Sequence, residues 1–438
     1  MGHDGRGIAT HKGKTQFIEG ALAGETVKAR FLSQKSKFDE LKVVEVLFAS
    51  DERVIEPCEH SQLCGGCSLQ HMSTDAQIKY KQAVLQEQFK HFGNIEPEKW
   101  LPPLLSLTLA YRRKARFGIY YDKTQSKVIL GFREKQHRNI TDIQSCYVLD
   151  NRMACHLNDL RGLIESCAHP EIITHIEFAA GDKQIAVVVR HVKALQDEDF
   201  KKFIEFAKIN VVELYLQPGG LDTVHKVWPE SGLPRLCYQL LLPSTDDQLL
   251  KRGQRINKIE FLFHPKDFTQ VNFELNQKMV VQALKCLDLQ KTDKVLDLFC
   301  GLGNFTLPIA PYVNEVVGVE GSKAMVERGV ENARHNDLSN TSFYEADLYS
   351  DFTNEKWANQ KFDKILIDPP RSGALDVVKY LKRFKAKRIV YISCNPATLA
   401  RDSGVLIDNG YTLSQAGVMD MFPHTSHVES IALFERKG

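Results

Sequence analysis

The alternation of apolar and polar positions changes character three times along the chain. Up to about residue 55, short apolar bursts such as TQFIEGALAGETVKARFLS and KVVEVLF, set among glycines and β-branched residues, predict a small β-barrel. The stretch TDAQIKYKQAVLQEQFKHFG then carries Ile78, Ala83, Val84, Phe89 and Phe92 at near-helical spacing behind a capping Thr74 or Asp75, which predicts a helix over 74–92. From about Leu104 to Lys258 short alternating strands dominate. In HIEFAAGDKQIAVVVRH, Gly181-Asp182 separates two apolar runs as a hairpin turn, and the region reads as mixed α and β.

After Phe261 apolar runs alternate with helical segments: KVLDLFC, EVVGVEG, TSFYEAD, FDKILIDPP and RIVYISC, with SKAMVERGVENARHN among the helices. This order predicts parallel βαβ units and a doubly wound, Rossmann-like α/β sheet. The last two runs, YTLSQAGVMD and HVESIALFER, have no helix-length segment between them and are expected to form a terminal hairpin. A chain of 438 residues exceeds a single core, so three domains are expected, over residues 1–55, 56–260 and 261–438, with the helix at 74–92 available to pack on the last.

Composition narrows the class. Hydrophobic content of 43% and charged content of 26% are ordinary for a globular protein, and no apolar run is long enough for a bilayer. The start MGHDGRGIATHKGKTQ lacks the apolar core of a signal peptide, which predicts a cytoplasmic protein whose ten cysteines serve metal binding or catalysis and not disulfides. A net charge of +2 neither demands nor forbids a nucleic-acid partner.

The chemistry gathers at strand ends, where open α/β sheets bind ligands. In VLDLFCGLGNFTLPIA a strand turns through Gly301 and Gly303 and is expected to enter a helix at Asn304. The spacing does not complete a dinucleotide fingerprint and no phosphate-loop lysine follows. Glu320, ending the next strand, can accept from ribose hydroxyls, and Asp347 can face an adenine; together they suggest S-adenosylmethionine. Asp368 in ILIDPPRSG and Cys394 in YISCNPATLARD stand at the next two tips. The Asn-Pro after Cys394 starts a helix whose N-terminus would favour a thiolate. Cys300 is the rival nucleophile, read as a small residue beside the cofactor; Cys155, Cys167, Cys237 and Cys286 are read as buried small hydrophobes.

A thiol has a purpose in a pyrimidine methyltransferase. Its addition to carbon 6 of uracil makes carbon 5 nucleophilic enough to take a methyl group, after which a base must remove the carbon 5 proton. Glu429 in HVES is the candidate base, with His424 and His427 as alternatives. YRRKARFGIYY, from Tyr111, interleaves cations and aromatics as an RNA groove would.

DPPRSG, SCNPATLARD, HVES and FTQVN together resemble the RNA uracil-5-methyltransferase family over essentially the whole chain. The resemblance implies Cys394 as nucleophile, Glu429 as base, and Gln270, Phe299, Asn304, Glu320, Asp347 and Asp368 around S-adenosylmethionine. It implies that the N-terminal segment is a TRAM domain, an OB-like RNA-binding barrel, here without its first strand. Its nearest branch acts on 23S ribosomal RNA, with a transfer RNA or another ribosomal site as the alternative. Cys58, Cys64 and Cys67, in CEHSQLCGGC, with the distant Cys146 make a four-thiolate set that spacing leaves open between a [4Fe-4S] cluster and zinc; the resemblance favours the cluster. A monomer is expected. Rival readings are a methyltransferase of an exocyclic amine, which has no use for the thiol, and a non-catalytic RNA-binding iron-sulfur protein.

Overall fold

The computed structural model describes residues 1–243 and 257–437. The end of the expected central domain, residues 244–256, lies outside the described residues.

The carboxyl-terminal half is built on an eight-stranded sheet in the order Thr341–Glu345, Glu315–Glu320, Lys294–Leu298, Lys364–Ile367, Arg388–Ser393, Glu429–Arg436, Tyr411–Met419, Lys99–Trp100. The first five in that order are mutually parallel. Glu429–Arg436 is antiparallel to both of its neighbours, so the terminal hairpin forms as expected. Strand order reverses between Lys294–Leu298 and Lys364–Ile367, which opens a crevice at their carboxyl ends.

The strands read as continuous apolar runs because both faces are covered. Leu296, Leu298, Ile365, Ile367, Ile389 and Tyr391 face one core, whereas Val295, Leu366, Val390 and Ile392 face the other. Helix Phe273–Leu287 and the two-stranded sheet Leu236–Leu241 with Lys258–Phe263 cover the second. The first core takes in helix Thr74–His91, which contributes Ala76, Ile78, Val84, Leu85 and Phe89. Its N-cap is Ser73, whose hydroxyl accepts from the Ala76 N–H, and not the expected Thr74 or Asp75. The polypeptide just beyond this helix adds the two-residue strand Lys99–Trp100 to the sheet edge.

A mixed six-stranded sheet carries the middle of the chain, ordered His225–Trp228, Glu213–Gln217, Ile185–His191, Ile173–Ala180, Lys114–Asp122, Lys127–Gly131. Ile173–Ala180 and Ile185–His191 pair antiparallel around Gly181-Asp182, as the pattern predicts. Helices Leu157–Glu165 and Asp197–Ile209 bury their apolar sides against it. Four strands at the N-terminus, Gly7–His11, Lys14–Glu19, Phe38–Phe48 and Thr26–Gln34, form a separate sheet in that order over a small core of Ile18, Ala21 and Leu41.

Candidate active site

The crevice at the strand ends holds a cavity of about 580 Å³, in the size range of small-molecule sites. Gln270, Phe299, Asn304, Glu320, Asp347, Asp368, Cys394 and Glu429 all line it, so the structure brings together every residue singled out for cofactor and chemistry. Tyr238, Phe268 and Phe422 add apolar walls.

Local sequence explains each placement. After Lys294–Leu298 the chain bends at Phe299, whose φ is 63°, and passes through Gly301 and Gly303 at φ 54° and 94°, where only glycine is unstrained. This bend leaves the Gly301 N–H free to donate to Glu320 Oε2 at 3.1 Å, while Glu320 Oε1 accepts from the Ser322 N–H at 2.9 Å. Helix Thr306–Ile309 begins two residues later than expected, and Asn304 lies in the turn, exchanging amide hydrogen bonds with Asn276. Asp347 sits just past Thr341–Glu345, exposed, and accepts from Ser350 Oγ and the Tyr349 N–H. Asn395 caps helix Pro396–Asp408 through the Ala397 N–H, and Pro396 occupies its first turn, where its missing N–H is not needed. Cys394 is thereby held at the mouth of the sheet.

A second cleft of about 420 Å³ adjoins the first and is lined by His3, Gln88, Arg371, Cys394, Ser426 and His427 among others. Cys394 and Arg371 line both. The sulfur therefore stands between a mainly apolar chamber and a more open, less apolar cleft. Such an arrangement lets two reactants meet at one atom from different sides.

Charges in the chamber are held back by burial. Burial raises Glu429 to about 8, Asp368 adds to the rise, and Arg371 and Lys81 oppose it. Asp368 is raised to about 7 by burial. Cys394 is pushed up to about 11 by burial, with Glu429 and Asp368 contributing and Arg371 opposing. Desolvation and two nearby carboxyls act against the thiolate that the following helix N-terminus favours. Cys300 is buried, and desolvation drives its thiol well above its usual range, with Asp297 and Glu320 adding to the effect.

Several residues escaped the sequence reading. Arg371 follows the two prolines of DPPRSG, and that adjacency was the available signal. Lys81 had none, since a lysine on an amphipathic helix reads as solvated. Of the alternative bases, His424 is buried with its Nδ1 against Gln77 and does not line the chamber; His427 lines only the outer cleft. His424 has a φ of 66°, a conformation that costs on the order of 1–3 kcal/mol for a non-glycine residue and persists only where its surroundings enforce it.

A family model described as tRNA (Uracil-5-)-methyltransferase matches residues 244–437. A protein of Alcanivorax borkumensis named 23S rRNA (uracil(1939)-C(5))-methyltransferase RlmD is 51% identical over 436 residues, spanning 100% of this chain and 95% of that protein. The chain belongs to the RNA uracil-5-methyltransferase family. A Hahella chejuensis protein of the same name is 47% identical, with 100% and 96% covered. Among solved structures, the Pyrococcus abyssi tRNA (uracil-54, C5)-methyltransferase in complex with S-adenosyl-L-homocysteine superposes with a TM-score of 0.71 at 23% identity, covering 96% of this chain and 94% of that one, and so shares the fold of this family member.

The four cysteines of the family resemblance also meet: Cys58, Cys64, Cys67 and Cys146 line one small cavity beside Phe132 and Ile143. The Gly66 N–H donates to the Cys64 sulfur at 3.4 Å, and burial raises all four thiols above their ordinary range. Among the described residues, however, no group of three or more His, Cys, Asp or Glu is placed to hold a metal ion directly.

Two readings need correction in this family member. Cys155 is exposed and Cys237 half-buried, so only Cys167 and Cys286 are the buried small hydrophobes expected. YRRKARFGIYY does not form an open groove. The Tyr111 hydroxyl donates to the Pro423 carbonyl, Arg113 pairs with Asp182 at 2.7 Å and lies over Phe273, and Lys114 donates to the Asp267 carbonyl. Arg113 and Lys114 thus join the central sheet to the catalytic half, while Arg116, partly exposed, pairs with Glu177 on the neighbouring strand.

Proposed function

We propose that the protein transfers a methyl group from S-adenosylmethionine to carbon 5 of a uridine in 23S ribosomal RNA through a covalent Cys394 adduct, with Glu429 as the base. The observation that carries this reading is the placement of Cys394 between the two cavities. The apolar chamber takes the methyl donor, with Glu320 and Asp347 toward its nucleoside; the more open cleft takes a uridine turned out of its stack, which is least costly in a loop or bulge. The named activities of the 51% and 47% identical relatives support the ribosomal substrate over transfer RNA.

In this scheme the Cys394 thiol releases its proton to solvent as its sulfur bonds to carbon 6, and the thiolate expelled at the end regains the proton that Glu429 has taken from carbon 5. The resulting enolate attacks the sulfonium methyl at carbon 5, releasing S-adenosylhomocysteine. Ionised Glu429 then takes the carbon 5 proton, and the electron pair left behind expels the sulfur. One proton per turnover reaches solvent. Because the thiol and Glu429 must both deprotonate, and both are raised by burial, activity depends on high pH. We expect kcat, which contains the final proton removal, to climb from pH 6 to 9 with a break near 8, and Asp368→Asn, which removes a like charge, to move that break down. A pH–rate profile of the full-length enzyme checks both.

We further propose that Cys58, Cys64, Cys67 and Cys146 hold a [4Fe-4S] cluster. Four thiols around one cavity, with the Gly66 N–H donating to Cys64, suit the thiolates of a cluster, which hydrogen bonds to sulfur stabilise. When bound, the cluster supplies a cross-link between the 58–67 loop and the central sheet; every methyl-transfer step above is made by other residues. Iron and sulfide in near-equal amounts in anaerobically purified protein, both lost in Cys146→Ser, are the expected outcome; zinc without sulfide contradicts it. The N-terminal four-stranded sheet is read as the TRAM module, and the enzyme as a cytoplasmic monomer.

The assignment to ribosomal RNA is tested by mass mapping of 5-methyluridine in 23S RNA from cells lacking the protein. Loss of one 5-methyluridine is expected, and an unchanged map contradicts the proposal.

A further inference from the structure

The loop 420–428, between the last two strands, delivers Glu429 to the chamber, yet much of what holds it comes from outside the catalytic sheet's own strands. Lys81, on helix Thr74–His91, is fully buried, and its Nζ donates to Asp420 Oδ1 at 2.6 Å and to the Phe422 carbonyl at 3.0 Å. One turn earlier on the same face, Gln77 Oε1 accepts from the His424 N–H at 2.8 Å. Its Nε2 donates to the carbonyls of Leu69 and Met72. The His424 carbonyl in turn accepts the N–H groups of Ser68 and Leu69, each at 2.9 Å. His424 thus keeps its left-handed backbone because both of its peptide groups and its ring are tied to residues 68–77.

We infer that Lys81 is a positioning residue for the base, fixing through Asp420 and Phe422 the loop that presents Glu429 to Cys394, and acting as the buried counter-charge beside that carboxylate. The inference rests on the reading of Glu429 as base. If holding the loop were the whole role, a pair of apolar side chains would serve without desolvating two charges. A buried ammonium within electrostatic reach of Glu429 does more, because it favours the ionised carboxylate that accepts the proton. The groups that act on Glu429 are Asp368, which opposes its ionisation, and Arg371 and Lys81, which favour it, with the Cys394 thiol adjoining. Lys81 itself faces Asp420 and Glu429, with His424 and His427 also within its field.

The test uses the full-length enzyme with an RNA fragment bearing the target uridine and S-adenosylmethionine, comparing Lys81→Met, Lys81→Met/Asp420→Asn and Asp420→Asn. The double variant removes both buried charges together, so it stays informative if Lys81→Met alone fails to fold. Its kcat break is expected to move up by about one pH unit, about a tenfold handicap at neutral pH that disappears at high pH, with kcat/KM for RNA within twofold of wild type. Asp420→Asn keeps the ammonium and releases its partner, so its break should move down. Breaks at the wild-type pH in both variants, or an equal loss of kcat at every pH, overturn the inference and leave Lys81 a structural residue. Failure of wild type itself to methylate the fragment overturns instead the reading on which the inference rests.

Discussion

Cys394→Ala should lose on the order of 10⁴-fold or more in methyl transfer, the scale seen when a covalent nucleophile is removed, while still binding S-adenosylmethionine. The size of the effect follows from the chemistry of uracil. Without a sulfur on carbon 6, carbon 5 has no enolate behind it, and the methyl donor meets a carbon too weak to attack it. The fold should survive, because Cys394 is only half-buried and lies beyond the last hydrogen-bonded residue of strand Arg388–Ser393. Single-turnover assays with labelled donor, beside a calorimetric measurement of donor binding, separate the two effects. A variant retaining a tenth of wild-type transfer would show that the thiol is a bystander.

Glu429→Gln should behave differently. Sulfur addition and methyl transfer do not require the carboxylate, so the variant is expected to stall after them and accumulate RNA bound to protein with the methyl group already in place. Loss of a positioned base costs on the order of 10²–10⁴-fold in turnover. The amide also removes a negative charge that raises the Cys394 thiol, so sulfur addition should be no slower than in wild type. Denaturing gels read the stalled complex directly; a variant that turns over slowly with no complex, or makes complex without methyl, contradicts the assignment of Glu429 to the final proton.

Much of this site could be read before any coordinates. Parallel strands buried on both faces must be apolar throughout, so VLDLF, VVGVE, ILID and IVYIS announce themselves, and the residues at their ends are where ligands bind. Glu320, Asp368 and Cys394 were legible for that reason. Glu429 was legible as a candidate base from the chemistry's need for one, but its position alone was a weak signal, because an acid opening a strand is more often solvated.

What escaped depends on contacts between distant segments. The amphipathic pattern of residues 74–91 shows that a face is buried but not what covers it, and Lys81 and Gln77 sit on that face where apolar residues would be assumed. The edge strand Lys99–Trp100 is too short to have a period. The cations of YRRKARFGIYY alternate with aromatics as an RNA groove would, and only the placement of Asp182, Phe273 and Asp267 shows that Arg113 and Lys114 are occupied internally. At Cys394 a helix N-terminus is visible in sequence, whereas desolvation and the approach of two carboxyls, which act the other way, are not.

The central claim is that the Cys394 sulfur bonds to carbon 6 of the target uridine. It is tested most directly by incubating the enzyme and S-adenosylmethionine with RNA carrying 5-fluorouridine at the target, where fluorine blocks the last proton removal, and by sequencing the cross-linked peptide by mass spectrometry. A single adduct on the peptide containing Cys394, carrying the mass of one fluorinated, methylated nucleotide, is the predicted result. An adduct on any other residue, or methyl transfer to unmodified RNA with no adduct to the fluorinated one, would contradict it.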